Sequence, residues 1–184
     1  MSWALLILGV GLWAGAHLFK RALPDRRAAM GDAGKGVVAV ALLAAIVLMT
    51  VGYRGTPEIT VWVPPPFLTH VNNLLVLVAF YFLSPAPSKG RLFYRMRHPM
   101  LTGFAIWAVS HLLVNGNLAA IVLFGGLLAW SPVAMAAINR AEPDWQRNPP
   151  GEWKWDAIGV AGAVVLLLVV GLIHGWLGPW PFGA

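Results

Sequence analysis

Six long apolar stretches run through the chain, and the segments between them are too short to form a soluble domain. Only 11% of the residues are charged and 59% are hydrophobic, whereas a soluble domain carries about 25% charged residues. The sequence therefore predicts an all-α integral membrane protein, a bundle of about six transmembrane helices in a single domain over residues 1–184. The predicted spans are Trp3 to about Ala22, Val37–Tyr53, Phe67–Leu83, Met100–Val114, Leu118–Ile138 and Ala157–Leu177.

Three of the breaks between these spans are rich in proline, which cannot continue a helix. They are Thr56–Pro66, Ser84–Gly90 and Asn139–Trp155. Asn115-Gly116-Asn117 is a tight polar turn between the fourth and fifth spans. The fourth span is shorter than the roughly 20 residues that a bilayer requires, so it must borrow residues from its flanks.

Basic residues predict the orientation of the bundle. Twelve of the thirteen lie in alternate connections, and Arg54 is the exception. The positive-inside rule makes those connections cytoplasmic, so both termini are expected to be non-cytoplasmic. Because the basic residues are explained by membrane topology, nucleic acid is not expected as a partner. The twelve are Lys20, Arg21, Arg26, Arg27, Lys35, Lys89, Arg91, Arg95, Arg97, Arg140, Arg147 and Lys154.

The first apolar stretch has no basic segment ahead of it, which predicts a retained helix rather than a cleaved signal peptide. Several of the ten tryptophans lie near the ends of spans, as in the aromatic belt of a membrane protein.

Histidines are the main candidates for chemistry, because the chain has no cysteine. Ionisable side chains inside a membrane are costly and often mark a site. Each histidine alone is also explained as a neutral ring bonded to a neighbouring helix. Five of them in six helices favour a histidine-ligated cofactor. They are His17, His70, His98, His111 and His174.

Helix geometry limits which histidines can act together. His98 and His111 are separated by about 20 Å along a helix and about 220° around it, so they cannot share one small site. His70 and His174 are predicted to lie at the depth of His111, whereas His17 is closer in depth to His98. The stripe formed by Phe104, Trp107, His111 and Asn115 would suit the wall of a flat aromatic cofactor.

Haem is the cofactor that this composition favours. It needs one or two axial ligands, which histidine supplies, and its propionates bind basic residues at an interface. Arg91, Arg95 and Arg97 are the candidates for the propionates, although topology alone also explains them. A zinc site would need three or four convergent ligands, which the predicted depths do not readily provide.

The run Arg97-His98-Pro99-Met100-Leu101, followed by Trp107–Asn117, resembles the signature of the NnrU family. Agreement extends to His17, to the proline-rich Trp62–Phe67 before His70, and to His174-Gly175-Trp176-Leu177. The resemblance implies an association with nitrite and nitric oxide reduction in denitrifying bacteria. It also implies a multi-pass protein of the bacterial cytoplasmic (inner) membrane, with a respiratory reductase or its maturation factors as partners besides the lipid bilayer.

The NnrU family is similar to the plant 15-cis-zeta-carotene isomerase, which uses haem b. By that resemblance His111 matches one axial ligand and His17 a second, while Ala108 stands where the isomerase has a cysteine implicated in ligand switching. The depth estimate separates His17 from His111 by roughly 10 Å, so the partner of His111 stays open between His17 and His70. Trp107, Arg97 and His98 complete the predicted cofactor-binding residues.

A second resemblance covers less of the chain. Arg97-His98-Pro99, with Gly103 after it, is similar to the cofactor motif of the isoprenylcysteine carboxyl methyltransferases, which use S-adenosylmethionine. Their downstream Arg and paired Glu are not reproduced, since Pro143 breaks the helix that would carry them.

Three functional hypotheses follow from the sequence. The first is a haem b-binding protein with a redox or accessory role in nitrogen oxide reduction. The second is a haem-dependent carotenoid cis–trans isomerase. The third is a membrane assembly subunit without a cofactor, whose histidines only bridge helices. Whether the protein is an enzyme stays open.

Overall fold

Each of the six predicted apolar stretches forms a helix in the computed structural model, which describes residues 1–183. Two short helices, α2 and α5, lie in the connections and were not predicted. The eight helices are α1 (Ser2–Ala22), α2 (Pro24–Ala29), α3 (Ala33–Gly55), α4 (Leu68–Leu83), α5 (Ala86–Lys89), α6 (Pro99–Val114), α7 (Leu118–Ala141) and α8 (Trp153–Leu177).

Four of these helices, α1, α3, α7 and α8, are long and apolar enough to cross a membrane. Helices α4 and α6 are apolar but have 16 residues each, which corresponds to about 24 Å. A hydrocarbon core is about 30 Å thick. The protein is therefore a helical membrane protein with four helices of full spanning length and two shorter apolar ones.

Local sequence signals explain where several helices begin. Pro99 occupies the first position of α6, where a missing backbone N–H costs nothing. The Asn117 side chain accepts a 2.8 Å hydrogen bond from the Ala120 backbone N–H and caps α7. Helix α8 begins at Trp153, four residues before the predicted span, and α7 continues to Ala141. The proline-rich break between them is therefore shorter than predicted.

The chain divides into two compact units, each built from two separate parts of the sequence. Unit 1 contains Met1–Trp62 and Gly116–Pro143, so it holds α1, α2, α3 and α7. Unit 2 contains Val63–Asn115 and the chain from Asp144 onward, so it holds α4, α5, α6 and α8. In unit 1, α1 packs against α3 and α7. In unit 2, α4 packs against α6 and α8.

Small residues allow the helices of each unit to approach closely. In unit 1, Gly52 of α3 lies against the backbone of Leu6 in α1, and both residues are buried. In unit 2, Gly103 of α6 lies against Ala79 and Phe82 of α4. Because lipid is as apolar as the side chains, close van der Waals packing of this kind is a principal attraction between membrane helices.

We predict that Gly52→Ala destabilises the protein, since its new methyl group overlaps the backbone nitrogen and Cα of Leu6. Overpacking of this kind costs about 1–3 kcal/mol. Gly11→Ala, on α1, is the matched control because a methyl group there meets open space, so it should be neutral or stabilising by up to about 1 kcal/mol. Unfolding in detergent measures both variants, and equal stabilities would contradict the packing argument.

Candidate functional site

His111 lies half-buried in α6, one turn before the helix ends. Its Nδ1 is 3.0 Å from the carbonyl oxygen of Trp107, and its ring centroid is 4.8 Å from that of Trp107. The ring centroid of Phe104, in the same stripe, is 5.3 Å from that of Trp107. The Asn115 side-chain amide donates a 2.8 Å hydrogen bond to the His111 carbonyl oxygen. The predicted stripe of α6 is therefore continuous.

His17 has the same local arrangement in α1 of unit 1. Its Nδ1 is 2.9 Å from the carbonyl oxygen of Trp13, and the two ring centroids are 4.3 Å apart. Trp130 of α7 packs on the same imidazole with a centroid distance of 4.7 Å. Trp130 is buried, so the His17 ring is held between two large aromatic side chains.

Both histidines belong to the same local motif, Trp-x-x-x-His. Trp13 and His17 are four residues apart on one helix, as are Trp107 and His111. Because a carbonyl oxygen can only accept a hydrogen bond, Nδ1 carries the proton in each neutral ring, and the lone pair lies on Nε2. Histidines that bind metals through Nε2 commonly donate Nδ1–H in this way. The same bond also satisfies a structural histidine in an apolar helix.

The remaining histidines differ in their surroundings. His70 is exposed in the first turn of α4, and His98 is the residue preceding α6. His174, near the end of α8, is exposed, and its Nδ1 is 2.8 Å from the Pro179 carbonyl oxygen.

The arginines just before α6 that were predicted to contact a cofactor lie beside aromatic side chains. The Arg97 guanidinium lies 5.6 Å from the ring centroid of Trp145. Arg95 donates through Nε to the Tyr94 hydroxyl at 2.9 Å. Within residues 1–183, no group of three or more His, Cys, Asp or Glu side chains is arranged to hold a metal ion. A haem does not require such a group, because its iron needs only one or two protein ligands.

The structure also contains a buried carboxylate that sequence reasoning missed. Asp156, in the first turn of α8, is only 4% exposed. It accepts hydrogen bonds from the Tyr81 hydroxyl at 2.5 Å, from the Arg91 backbone N–H at 2.6 Å and from the Leu92 backbone N–H at 3.4 Å. These donors offset the cost of burying a charge.

Two sequence signals point to these features. The repeated Trp-x-x-x-His spacing is visible in the sequence and marks His17 and His111 as equivalent. An aspartate in the first turn of an apolar helix is weaker evidence, because acidic residues are common at helix N-termini. Nothing in the sequence places Tyr81 and the Gly90–Leu92 backbone beside it.

The protein-family model described as NnrU protein matches residues 5–181 of the chain. Neither the search of curated proteins nor the search of solved structures returned a match.

We predict that Tyr81→Phe destabilises the protein by about 2 kcal/mol, because a hydrogen bond to a buried carboxylate is lost. Tyr94→Phe removes an exposed hydrogen bond to Arg95 and serves as the control, with an expected change within about 0.5 kcal/mol. Detergent unfolding curves compare the two variants. Equal effects would mean that the Tyr81 hydroxyl contributes nothing beyond an exposed hydroxyl.

Proposed function

Since the chain belongs to the NnrU family, we propose that it is a haem b-binding membrane protein with a redox or accessory role in nitrite and nitric oxide reduction. The family match fits a membrane protein associated with denitrification. The observation that supports haem is the repeated Trp-x-x-x-His geometry, in which a carbonyl oxygen within hydrogen-bond distance of Nδ1 orients a histidine ring on each of two apolar helices.

His111 is the first axial ligand in this proposal. Its ring is oriented by the Trp107 carbonyl and flanked by the Trp107 indole, so it can bind iron with little loss of side-chain freedom. The second ligand is His17 or His70. His17 shares the local geometry of His111, whereas His70 lies in the same unit. Arg97 and His98, at the other end of α6, are the remaining cofactor-contacting residues.

When bound, haem would supply an iron that exchanges electrons. The protein supplies histidine side chains, of which His111 and His17 are oriented by a carbonyl oxygen, and an apolar helical surround. Ala108 is fully buried beside Trp107 and has no group that can coordinate iron. The ligand exchange attributed to cysteine in the carotenoid isomerase therefore has no counterpart at this position, which favours a redox or accessory role over isomerisation.

The proposal includes the topology inferred from charge. Helices α4 and α6 join the four long helices as spans, which gives six spans with both termini non-cytoplasmic in a bacterial inner membrane. The two short helices are accommodated by local thinning of the bilayer or by their flanking residues. A respiratory reductase or one of its maturation factors is the proposed partner.

Topology can be tested directly because the chain has no native cysteine. Glu58→Cys and Ser88→Cys are both at exposed positions, in the connections after α3 and after α4. In intact spheroplasts, a membrane-impermeant maleimide should label Cys at position 58 and should label position 88 only after lysis. The reverse pattern would contradict the orientation, and labelling of both positions in intact spheroplasts would contradict a span at α4.

Haem binding is tested by the visible spectrum of protein purified from haem-replete cells. The wild type should show a Soret band, and His111→Ala should lose most of it because an axial ligand is removed. Added imidazole should restore the band in His111→Ala, which separates loss of a ligand from loss of folding. A Soret band unchanged by His111→Ala would exclude His111 as an essential ligand.

The partner of His111 is identified by the same measurement on His17→Ala and His70→Ala. The variant that lacks the true ligand should shift to a five-coordinate spectrum, and the other should keep the wild-type spectrum. A colourless wild-type protein would instead support an assembly subunit. Isomerised product from reduced protein given 9,15,9′-tri-cis-zeta-carotene would support the isomerase.

A further inference from the structure

Three cation–π contacts surround the first turn of α8 in unit 2. The Lys89 ammonium lies 4.9 Å from the ring centroid of Trp155, and the Lys154 ammonium lies 5.9 Å from the same ring. The Arg91 guanidinium lies 6.0 Å from the ring centroid of Trp153. These five residues are named the basic–aromatic cluster. Topology alone requires basic residues near a helix end, but it does not require them to lie over tryptophan rings.

Two cations of the cluster keep their charge available to a ligand. Lys154 pairs with Glu152 at 2.9 Å. Across residues 1–183, neither Lys89 nor Arg91 forms an ion pair, and both are exposed. The nearby carboxylate of Asp156 is buried and directed at the Tyr81 hydroxyl and at backbone N–H groups. The surface of the cluster is therefore positively charged.

The segment that carries Lys89 and Arg91 is held in place from within. Asp156 accepts from the backbone N–H of Arg91 and lies directly against Gly90. Gly151 N–H donates to the Gly90 carbonyl oxygen at 3.1 Å. A site whose backbone is fixed loses less entropy when it binds a ligand than a flexible loop does.

An apolar surface follows Trp153 along α8. Trp153 is 60% exposed, and the following turns of α8 expose Ile158 and Val160 at 57% and 50%. Tryptophan at the end of a membrane helix lies at the level of the lipid headgroups. A ligand at this position meets cations at one end and hydrocarbon-compatible side chains at the other, which describes an amphiphile with an anionic head.

We propose that the basic–aromatic cluster is a binding site for the phosphate of an anionic phospholipid of the surrounding bilayer, with Asp156 as its positioning residue. Lys89 and Arg91 bind the phosphate, the two indole rings hold the cations at headgroup depth, and the start of α8 receives the acyl chains. The site uses neither His111 nor His17.

The test is native mass spectrometry of the full chain in detergent, titrated with phosphatidylglycerol or with phosphatidylcholine of matched chains. The wild type should prefer phosphatidylglycerol. The double variant Lys89→Gln/Arg91→Gln should bind it roughly tenfold more weakly, because two basic residues near the headgroup are lost.

The matched control is Lys20→Gln/Arg26→Gln, which removes two exposed cations of unit 1. Among residues 1–183, neither cation lies over an aromatic ring or pairs with a carboxylate. Its affinity for phosphatidylglycerol should change less than about threefold. Equal losses in the two double variants would overturn the site in favour of general surface charge. Displacement of the lipid by inorganic phosphate alone would overturn a lipid as the occupant.

The positioning role of Asp156 predicts a change in lipid affinity opposite to the change that charge alone predicts. Asp156→Asn removes a negative charge beside the cluster, so electrostatics alone would strengthen binding of an anion. The proposal predicts weaker binding, because the amide keeps only one of the two oxygens that accept from the Tyr81 hydroxyl and the Arg91 backbone N–H. Stronger binding would overturn the role of Asp156. If this variant does not fold, Tyr81→Phe, which changes no charge, must weaken phosphatidylglycerol binding for the role to stand.

Discussion

Hydrocarbon offers no hydrogen bonds, so each polar group that enters this protein needs a partner within the chain. The hydroxyl of Thr50 donates to the carbonyl of Ile46, and the hydroxyl of Ser110 donates to the carbonyl of Trp107. The buried carboxylate of Asp156 accepts three hydrogen bonds, from the Tyr81 hydroxyl and from the backbone N–H groups of Arg91 and Leu92. The same requirement acts on the histidines and determines which ring nitrogen carries the proton.

That requirement gives His17 and His111 the same tautomer in two separate units. In each case the carbonyl four residues earlier accepts from Nδ1, and the tryptophan that supplies the carbonyl also packs on the ring. This hydrogen bond satisfies a polar ring within an apolar helix, and it is the same bond that orients the proposed haem ligands.

The basic residues likewise serve more than one purpose. Their distribution predicts an orientation for the spans, and that explanation is sufficient for Lys20 and Arg26. Lys89 and Arg91 differ because they lie over the rings of Trp155 and Trp153 on a backbone held by Asp156. A charge with a fixed position can select a ligand, whereas a mobile charge contributes mainly to the general attraction of a surface.

The sequence by itself determined the helical class, the six apolar helices and the stripe of Phe104, Trp107 and His111. These follow from local properties, because hydrophobic runs, proline breaks and helical spacing act over a few residues. It also contained the Trp-x-x-x-His repeat, whose meaning depends on a hydrogen bond within one turn.

Only the tertiary structure decided which distant groups meet. Trp130 reaches His17 from a helix more than a hundred positions along the chain. The Tyr81 hydroxyl donates to Asp156, and Gly52 contacts the backbone of Leu6. The hydropathy pattern does not predict either contact. The division into two units, each built from two separate parts of the chain, also could not be predicted from the sequence. Apolar helices can pack in many ways, and small residues and buried polar pairs select among them.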